Sequence, residues 1–515
     1  MLRSRILRLL SLFSLLPLLT FVVSCTDTEI VFRDREPFNP PQTAALGFLG
    51  YFNVGTQTTT CGNCHVGTQR DWKQTRHANA FQTLIDLGSS AKPFCFSCHT
   101  VTANGNDVTG PAGWDAVQDS VYHDVQCESC HGPGLNHVVE PDNRSNVPLA
   151  RASIGADAAV ACAECHSGAH TPFAEEWAQS GHAGVVTFAA GRADCESCHN
   201  GKATLVAWGE QANYVEKGQT GFFPVTCTVC HDPHGSPNSK QLRFPIDSPD
   251  PEVNLCMKCH LRRADTQSGS SSPHAPQGAV LLGTAGYRPQ NFLFDSTAIL
   301  TSHGSDRNPK LCAGCHVGRF EVTDPATGGF VFQATGHLFR PVPCLDAQGK
   351  PTGDKTCAYT ETARSFKTCT ASGCHASEAI AAQRFTQTRA EMETLVATLW
   401  VDVNKNGSID AAPTDQGMLP TVKAMRPGEF TSTSITPARG AEFNARLAGE
   451  RNQSNSDNSK GVHNPFLLRA LVSASINEVR TFYNLPAPPA QVQKLIDASL
   501  ISVRAQPVAA AQSNR

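Results

Sequence analysis

Methionine is scarce in this chain, five residues of 515 with Met1 included, so thioether sulfur is at most a minor source of metal ligands. Positive charge is not in excess either: 42 Lys and Arg stand against 45 Asp and Glu, a formal charge of −3. That balance argues against a nucleic-acid partner, which a basic surface would recruit. The motif Cys-X-X-Cys-Lys does not occur, and no cysteine motif of any kind follows residue 375. What the chain does have is 21 cysteines and 19 histidines.

Eighteen of those cysteines fall in nine motifs. Eight are regular Cys-X-X-Cys-His: Cys61, Cys64 and His65; Cys95, Cys98 and His99; Cys127, Cys130 and His131; Cys162, Cys165 and His166; Cys195, Cys198 and His199; Cys227, Cys230 and His231; Cys256, Cys259 and His260; Cys312, Cys315 and His316. The ninth is stretched, Cys369, Cys374 and His375. This pattern attaches c-type haem: two thiols add to the porphyrin vinyl groups and the adjoining imidazole becomes an axial iron ligand. Structural zinc is the rival, but zinc knuckles do not place a histidine directly after every second cysteine. The stretched copy keeps its histidine beside the second cysteine and is read as a ninth attachment site, against a disulfide beside a free histidine. Of the other cysteines, Cys344 and Cys357 are expected to pair as a disulfide in an oxidising compartment.

Iron needs a sixth ligand, and ten histidines lie outside the motifs. His77, His123, His137, His182, His234, His274, His303, His337 and His463 are the expected distal ligands. His170 is taken as the spare, since its counterpart in the first repeat is Arg70. His77 and His182 are expected in short helices with Trp72 and Trp177 on the preceding turn, the second capped by Thr171-Pro172. His137 and His234 stand too close to their own motif histidines to reach beneath the same haem, so each is expected at a neighbour's iron. Complete bis-histidine ligation predicts a low-potential set, because axial methionine raises haem potentials.

Residues 1–24 read as a lipoprotein signal peptide. Arg3, Arg5 and Arg8 precede an apolar run, and Val22-Val23-Ser24-Cys25 resembles a lipobox, so the chain is expected to be exported and anchored in a membrane through a lipidated Cys25. No acidic residue directly follows Cys25, which predicts an outer-membrane destination. Removing three arginines and no acid moves the formal charge from −3 to −6, and haem propionates add to it.

After a 25–54 linker, His65, His99 and His131 recur as His166, His199 and His231 at offsets of 101, 100 and 100. Two three-haem modules are read, 55–150 and 151–245, then a looser third group of three over 246–380. The motif region spans 315 residues, 35 per motif, too few to build a separate core around each cofactor. The expected fold class is therefore mostly irregular and α: loop-rich, with short helices wrapped around stacked haems and little β. Residues 381–515 are expected to form a mostly helical cap. Residues 376 to about 400 have helical spacing, and Asn464 and Pro465 open a second helix. The polar stretch Arg451–Lys460 between them is expected to be exposed. Asp402, Asn404, Asn406 and Asp410, with Gly407 at position six, resemble an EF-hand-type calcium loop, although its twelfth position is Pro413.

The motifs followed by Trp72…His77 and Trp177…His182, and Cys127-Glu128-Ser129-Cys130-His131-Gly132-Pro133-Gly134…His137, resemble the multihaem c-type cytochromes. The likeness is to the class typified by the tetrahaem cytochrome partnering hydroxylamine oxidoreductase, and to outer-surface cytochromes of metal-respiring bacteria. The resemblance implies stacked haems, bis-histidine ligation and electron transfer. Redox proteins are the implied partners, including other multihaem cytochromes or a porin. The alternative function is an oxidoreductase acting on a small nitrogen or sulfur oxyanion at one open haem.

Overall fold

The structure is a computed structural model that describes residues 44–89, 92–151, 158–210, 221–268, 272–290, 292, 294, 303–449 and 456–504. The signal segment, the lipobox at Cys25 and residues 451–455 lie outside these residues. Among them, sheet is limited to three antiparallel pairs: β1 (Tyr51–Asn53) with β2 (Thr58–Thr59), β3 (Phe320–Thr323) with β4 (Phe330–Ala334), and β5 (Cys344–Leu345) with β6 (Pro351–Thr352). The rest is loop and helix, the helices short up to residue 375 and reaching 22 residues beyond it, so the fold is mostly irregular and α. Cys344 and Cys357 form the expected disulfide, beside β5.

The duplicated stretches share local structure. Helix α1 (Val66–Trp72) and helix α2 (Phe173–Ala178) each carry the tryptophan. Trp72 Nε1 donates to Val125 O at 3.0 Å, and Trp177 Nε1 donates to Val225 O at 2.9 Å. Val125 N and Val225 N in turn donate to His77 O and His182 O, at 3.0 and 3.2 Å. Helices this short are marginal alone; here the indole pins each to the segment entering the third motif. His77 and His182 lie in the single 3-10 turns His77–Asn79 and Gly181–Ala183 beyond these helices, rather than within them. Thr171 does not cap α2: its hydroxyl donates to Ser167 O, and Pro172 occupies the cap position.

The largest apolar core belongs to the tail. It is built from α3 (Glu378–Leu399), α4 (Met418–Met425), α5 (Pro437–Ala448), α6 (Pro465–Phe482) and α7 (Ala490–Arg504). Asn464 caps α6 by accepting Leu467 N at 3.0 Å, with Pro465 at the first helical position as expected. Leu395, Leu399, Leu419, Phe443, Leu447, Leu471 and Ile476 are fully buried here, and Val280 and Ala285 from the motif region join them. Asn444 locks the two parts: its Oδ1 accepts Tyr287 N and its Nδ2 donates to Tyr287 O, both at 2.8 Å. The apolar clusters inside the motif region are small by comparison, for example Phe48, Val101, Ala112 and Tyr122. One expectation is corrected here. Within Arg451–Lys460, Ser456 and Asp457 are buried, not exposed, because Asp457 N donates to Leu447 O of α5 and Ser456 O accepts Gln277 Nε2.

Candidate haem centres

The regular motifs are tight turns. In five of them the motif histidine N–H donates to the carbonyl of the first cysteine outside any helix: His65, His166, His199, His231 and His260, for example His65 to Cys61 at 2.9 Å and His260 to Cys256 at 2.9 Å. Both sulfurs thereby lie on one side of the turn, with the imidazole projecting beside them. In the stretched motif His375 N still reaches Cys369 O, at 3.2 Å.

Eight of the nine motif histidines face a histidine from elsewhere in the chain. The ring centroids are separated by 6.4 Å for His65 and His137, 6.1 Å for His166 and His77, 6.2 Å for His131 and His234, and 6.2 Å for His260 and His182. The others are His199 and His274 at 6.1 Å, His231 and His337 at 6.3 Å, His375 and His303 at 6.3 Å, and His316 and His463 at 6.0 Å. That separation is too long for stacking or a hydrogen bond. It matches two imidazoles on opposite sides of one metal, where bonds of about 2.0 Å on each side put the centroids about 6 Å apart.

The ring nitrogens support the same chemistry. Nδ1 of His99, His131, His231, His303 and His316 lies 2.6 to 2.9 Å from the carbonyl of Ala80, Pro148, Lys240, Val462 and Phe339 respectively. A carbonyl accepts only, so Nδ1 carries the proton and Nε2 is left with its lone pair for a metal. Burial, with neighbouring His166, holds the His77 pKa down to about 4; burial with His260 does the same for His182. Burial and His463 hold His316 at about 4. These imidazoles stay neutral at pH 7, the form that ligates.

His99 and His123 differ. Among the described residues no imidazole stands opposite His99 at this separation, and His123 stacks on Phe81 at 3.6 Å with Trp114 at 5.0 Å. His170 stacks on Phe330 at 4.4 Å, away from the motif histidines.

Thiols of different motifs also act on one another. Cys127 raises the pKa of the Cys61 thiol, Cys227 that of Cys162 and Cys312 that of Cys256. Weaker electrostatic effects run from Cys130 to Cys162, from Cys230 to Cys256 and from Cys369 to Cys315. These links connect 61–65, 127–131, 162–166, 227–231, 256–260, 312–316 and 369–375 in that order. The other two motifs join at 162–166 and 256–260: Cys98 raises Cys165 and Cys198 raises Cys259, with Cys98 Sγ 3.8 Å from Glu164 O and Cys198 Sγ 3.9 Å from Lys258 O. These side attachments repeat with the duplication.

Carboxylates buried in the motif region act as scaffolding. Glu128 accepts Leu49 N and Gly50 N at 2.8 Å, and Gly134 N at 2.8 Å. Gly50 sits at φ +63, and a Cβ there would lie 2.4 Å from Val121 O, so only glycine brings this N–H to the carboxylate. Glu176 accepts Thr335 N at 2.9 Å and His337 N at 2.7 Å, which presents His337 to His231. Sequence reasoning gave neither role to Glu128 or Glu176. The only signal was that Glu128 lies inside a motif.

The four calcium-loop residues come together, though through hydrogen bonds to one another. Asn404 Nδ2 and Asn406 Nδ2 donate to Asp410 Oδ2 at 2.8 and 2.7 Å, and Asp402 accepts Asn406 N and Gly407 N. Among the described residues no helix is long and apolar enough to cross a membrane.

Comparison with known proteins agrees with the donor set. Residues 222–265 match the family described as the doubled CXXCH motif, and residues 60–132 match cytochrome c554 and c-prime. The C-type polyheme cytochrome OmcB of Geobacter sulfurreducens, in strains DL-1/KN400 and PCA, is 24% identical over 295 residues, covering 52% of this chain. The chain spans about a third of that relative's length, 36%. No solved structure matches it. Repeated thiol pairs with adjoining imidazoles, fitted for covalently bound haem c, and these two family matches make the chain a multihaem c-type cytochrome.

Proposed function

We propose that the chain carries nine covalent haems and acts as an electron conduit in the periplasm or outer membrane, anchored through a lipidated Cys25. The observation that carries this reading is the set of eight facing imidazole pairs, which tie motifs from one end of the motif region to the other. Haem held by these thiols and imidazoles would supply one-electron chemistry at each motif. The polypeptide sets spacing, ligation and exposure. In this reading the facing imidazoles are axial pairs: His137, His77, His234, His182, His274, His337, His303 and His463 are the distal ligands of the motifs they face. The two three-haem modules and the third group are then successive lengths of one wire, not separate enzymes. Redox proteins are the partners, and delivery to extracellular acceptors is one use of such a wire. Calcium in the Asp402–Asp410 loop belongs to the same proposal.

Protein-film voltammetry of the purified holoprotein tests it. Nine electrons per molecule are expected in one connected exchange, with nine haem additions by mass spectrometry. A variant lacking the 227–231 haem (Cys227→Ala, Cys230→Ala) is expected to leave haems beyond the break out of fast exchange. Undiminished exchange in that variant would remove the conduit.

One observation favours a second reading for a single haem: His99 lacks a facing imidazole. His199, its counterpart, faces His274, from the segment after His260. The segment after His166 supplies nothing similar, since His170 stacks on Phe330 and His182 faces His260. An iron held by His99 would, if left open, bind a small molecule and supply oxidoreductase chemistry; Phe81, Phe96, Trp114 and His123, from segments next to His99 and its Ala80 partner, pack on one another. A high-spin EPR signal that exogenous cyanide converts to low-spin is expected; a purely low-spin ferric protein would exclude this reading.

A further inference from the structure

The acceptors of the paired imidazoles are not alike. His131, His231, His303 and His316 donate Nδ1–H to neutral backbone carbonyls, and His337 Nδ1 lies 3.2 Å from the Thr335 hydroxyl. His463 instead places Nδ1 on a carboxylate, Asp457 Oδ1 at 2.6 Å, whereas His234 Nδ1 stands 3.9 Å from Asp232 Oδ1, beyond hydrogen-bond reach. The Asp457 side chain is completely buried. Its second oxygen accepts from the Ser459 hydroxyl, and Ser459 Oγ also accepts His463 N at 3.1 Å. The loop that builds this contact is backbone-strained: Asn458, Lys460 and Gly461 have φ of 59, 49 and 94. Non-glycine residues adopt that region at a cost, so packing holds them there to close the carboxylate onto the ring.

A carboxylate removed from water stabilises itself through whatever proton it can draw upon. Here that is the Nδ1 proton. The more the proton is drawn to oxygen, the more electron density Nε2 offers to a metal on the far side of the ring, and the more the oxidised metal is favoured. We infer that Asp457 is a positioning residue that gives His463 imidazolate character and makes the haem of Cys312, Cys315 and His316 the last of the set to accept an electron. This rests on the bis-histidine reading of His316 and His463. The same loop reaches the next haem too, since Val462 O accepts from His303, which faces His375. One carboxylate-bearing turn thus tunes the haem of the 312–316 motif and supports the distal ligand of the 369–375 motif.

The test uses full-length holoprotein with nine-haem loading checked by mass spectrometry. Asp457→Asn keeps the shape but not the charge. The expected result is an unchanged low-spin haem count by EPR and one midpoint potential raised, the reduced-to-oxidised ratio of that haem rising at least tenfold at fixed potential, which is 59 mV for one electron. Unmoved midpoints in a fully low-spin protein would overturn the inference. Should Asp457→Asn fail to load haem, Ser459→Ala decides: losing the competing hydroxyl donor is expected to lower the same midpoint, and no shift overturns the inference. His463→Ala separates the two readings, because absence of a new high-spin haem there would show that His463 is no ligand, whatever Asp457 does.

Discussion

His131 and His234 face one another at 6.2 Å between ring centroids, although they come from different halves of the duplication. His234 stands three residues after its own motif histidine, His231, which faces His337 instead. The 127–131 motif is therefore faced from the segment after 227–231, and the 227–231 motif from the segment after 312–316. His234→Ala is expected to leave the 227–231 haem low-spin and to convert one haem, that of 127–131, to high-spin. EPR quantitation against the wild type checks the count. Combining it with Cys127→Ala and Cys130→Ala checks the assignment, since the new signal then disappears. Gly235 sits at φ +115, and a Cβ there would lie 2.6 Å from Asp71 O. Gly235→Ala is expected to produce a weaker form of the same signal.

This pairing marks the limit of what the sequence reveals. That His234 is available, that Trp72 and Trp177 are equivalent, that Asn464 opens a helix and that Cys344 pairs with Cys357 were all legible, because each depends on residues close by or on a repeat. Which motif each imidazole faces was not, since that is decided by how modules pack. His123 shows the same limit: a histidine just ahead of a motif reads as a ligand, but its ring lies flat on Phe81. Asp457 was misread because Asn- and Ser-rich composition signals solvent, while burial here comes from long-range bonds of the turn to Leu447 of α5 and to Gln277.

Glu128 holds three backbone donors inside the first module, and each orphaned buried donor costs about 1–3 kcal/mol. Glu128→Ala is expected to destabilise the holoprotein by at least about 3 kcal/mol, measured by chemical denaturation. Burial raises the carboxyl pKa to about 7, against the opposing pull of those backbone bonds. The folded state then binds the proton more tightly than the unfolded chain. This contribution to stability is full below the ordinary carboxyl pKa and is lost as pH rises through 7. Stability should fall over that window by up to about 1.4 kcal/mol per pH unit. Glu128→Gln is expected to remove that slope, whatever it does to absolute stability.

The stretched motif behaves in the structure as the regular ones do, with His375 facing His303 at 6.3 Å. Cys369→Ser with Cys374→Ser is expected to lose one haem by intact mass and keep the other eight. An unchanged mass would mean that this motif carries no haem.

The Asp402–Asp410 loop brings two carboxylates and two amides together, and the amide nitrogens presently bridge Asp410. A calcium ion would take the oxygen of each amide in place of those bonds, which requires only that the two amides turn over. Nearby Asp415 is already committed, accepting Trp400 Nε1 at 2.9 Å and Val403 N at 3.0 Å, so the loop base is rigid without the ion. Calcium should therefore raise the melting temperature in proportion to ln(1 + [Ca²⁺]/Kd). Buried Trp400 beside the loop should also sensitise terbium luminescence that calcium displaces. Asp410→Ala is expected to abolish both responses and leave haem content intact. If wild-type protein gives neither response at millimolar calcium, the loop is a hydrogen-bonded turn and its EF-hand spacing is coincidental.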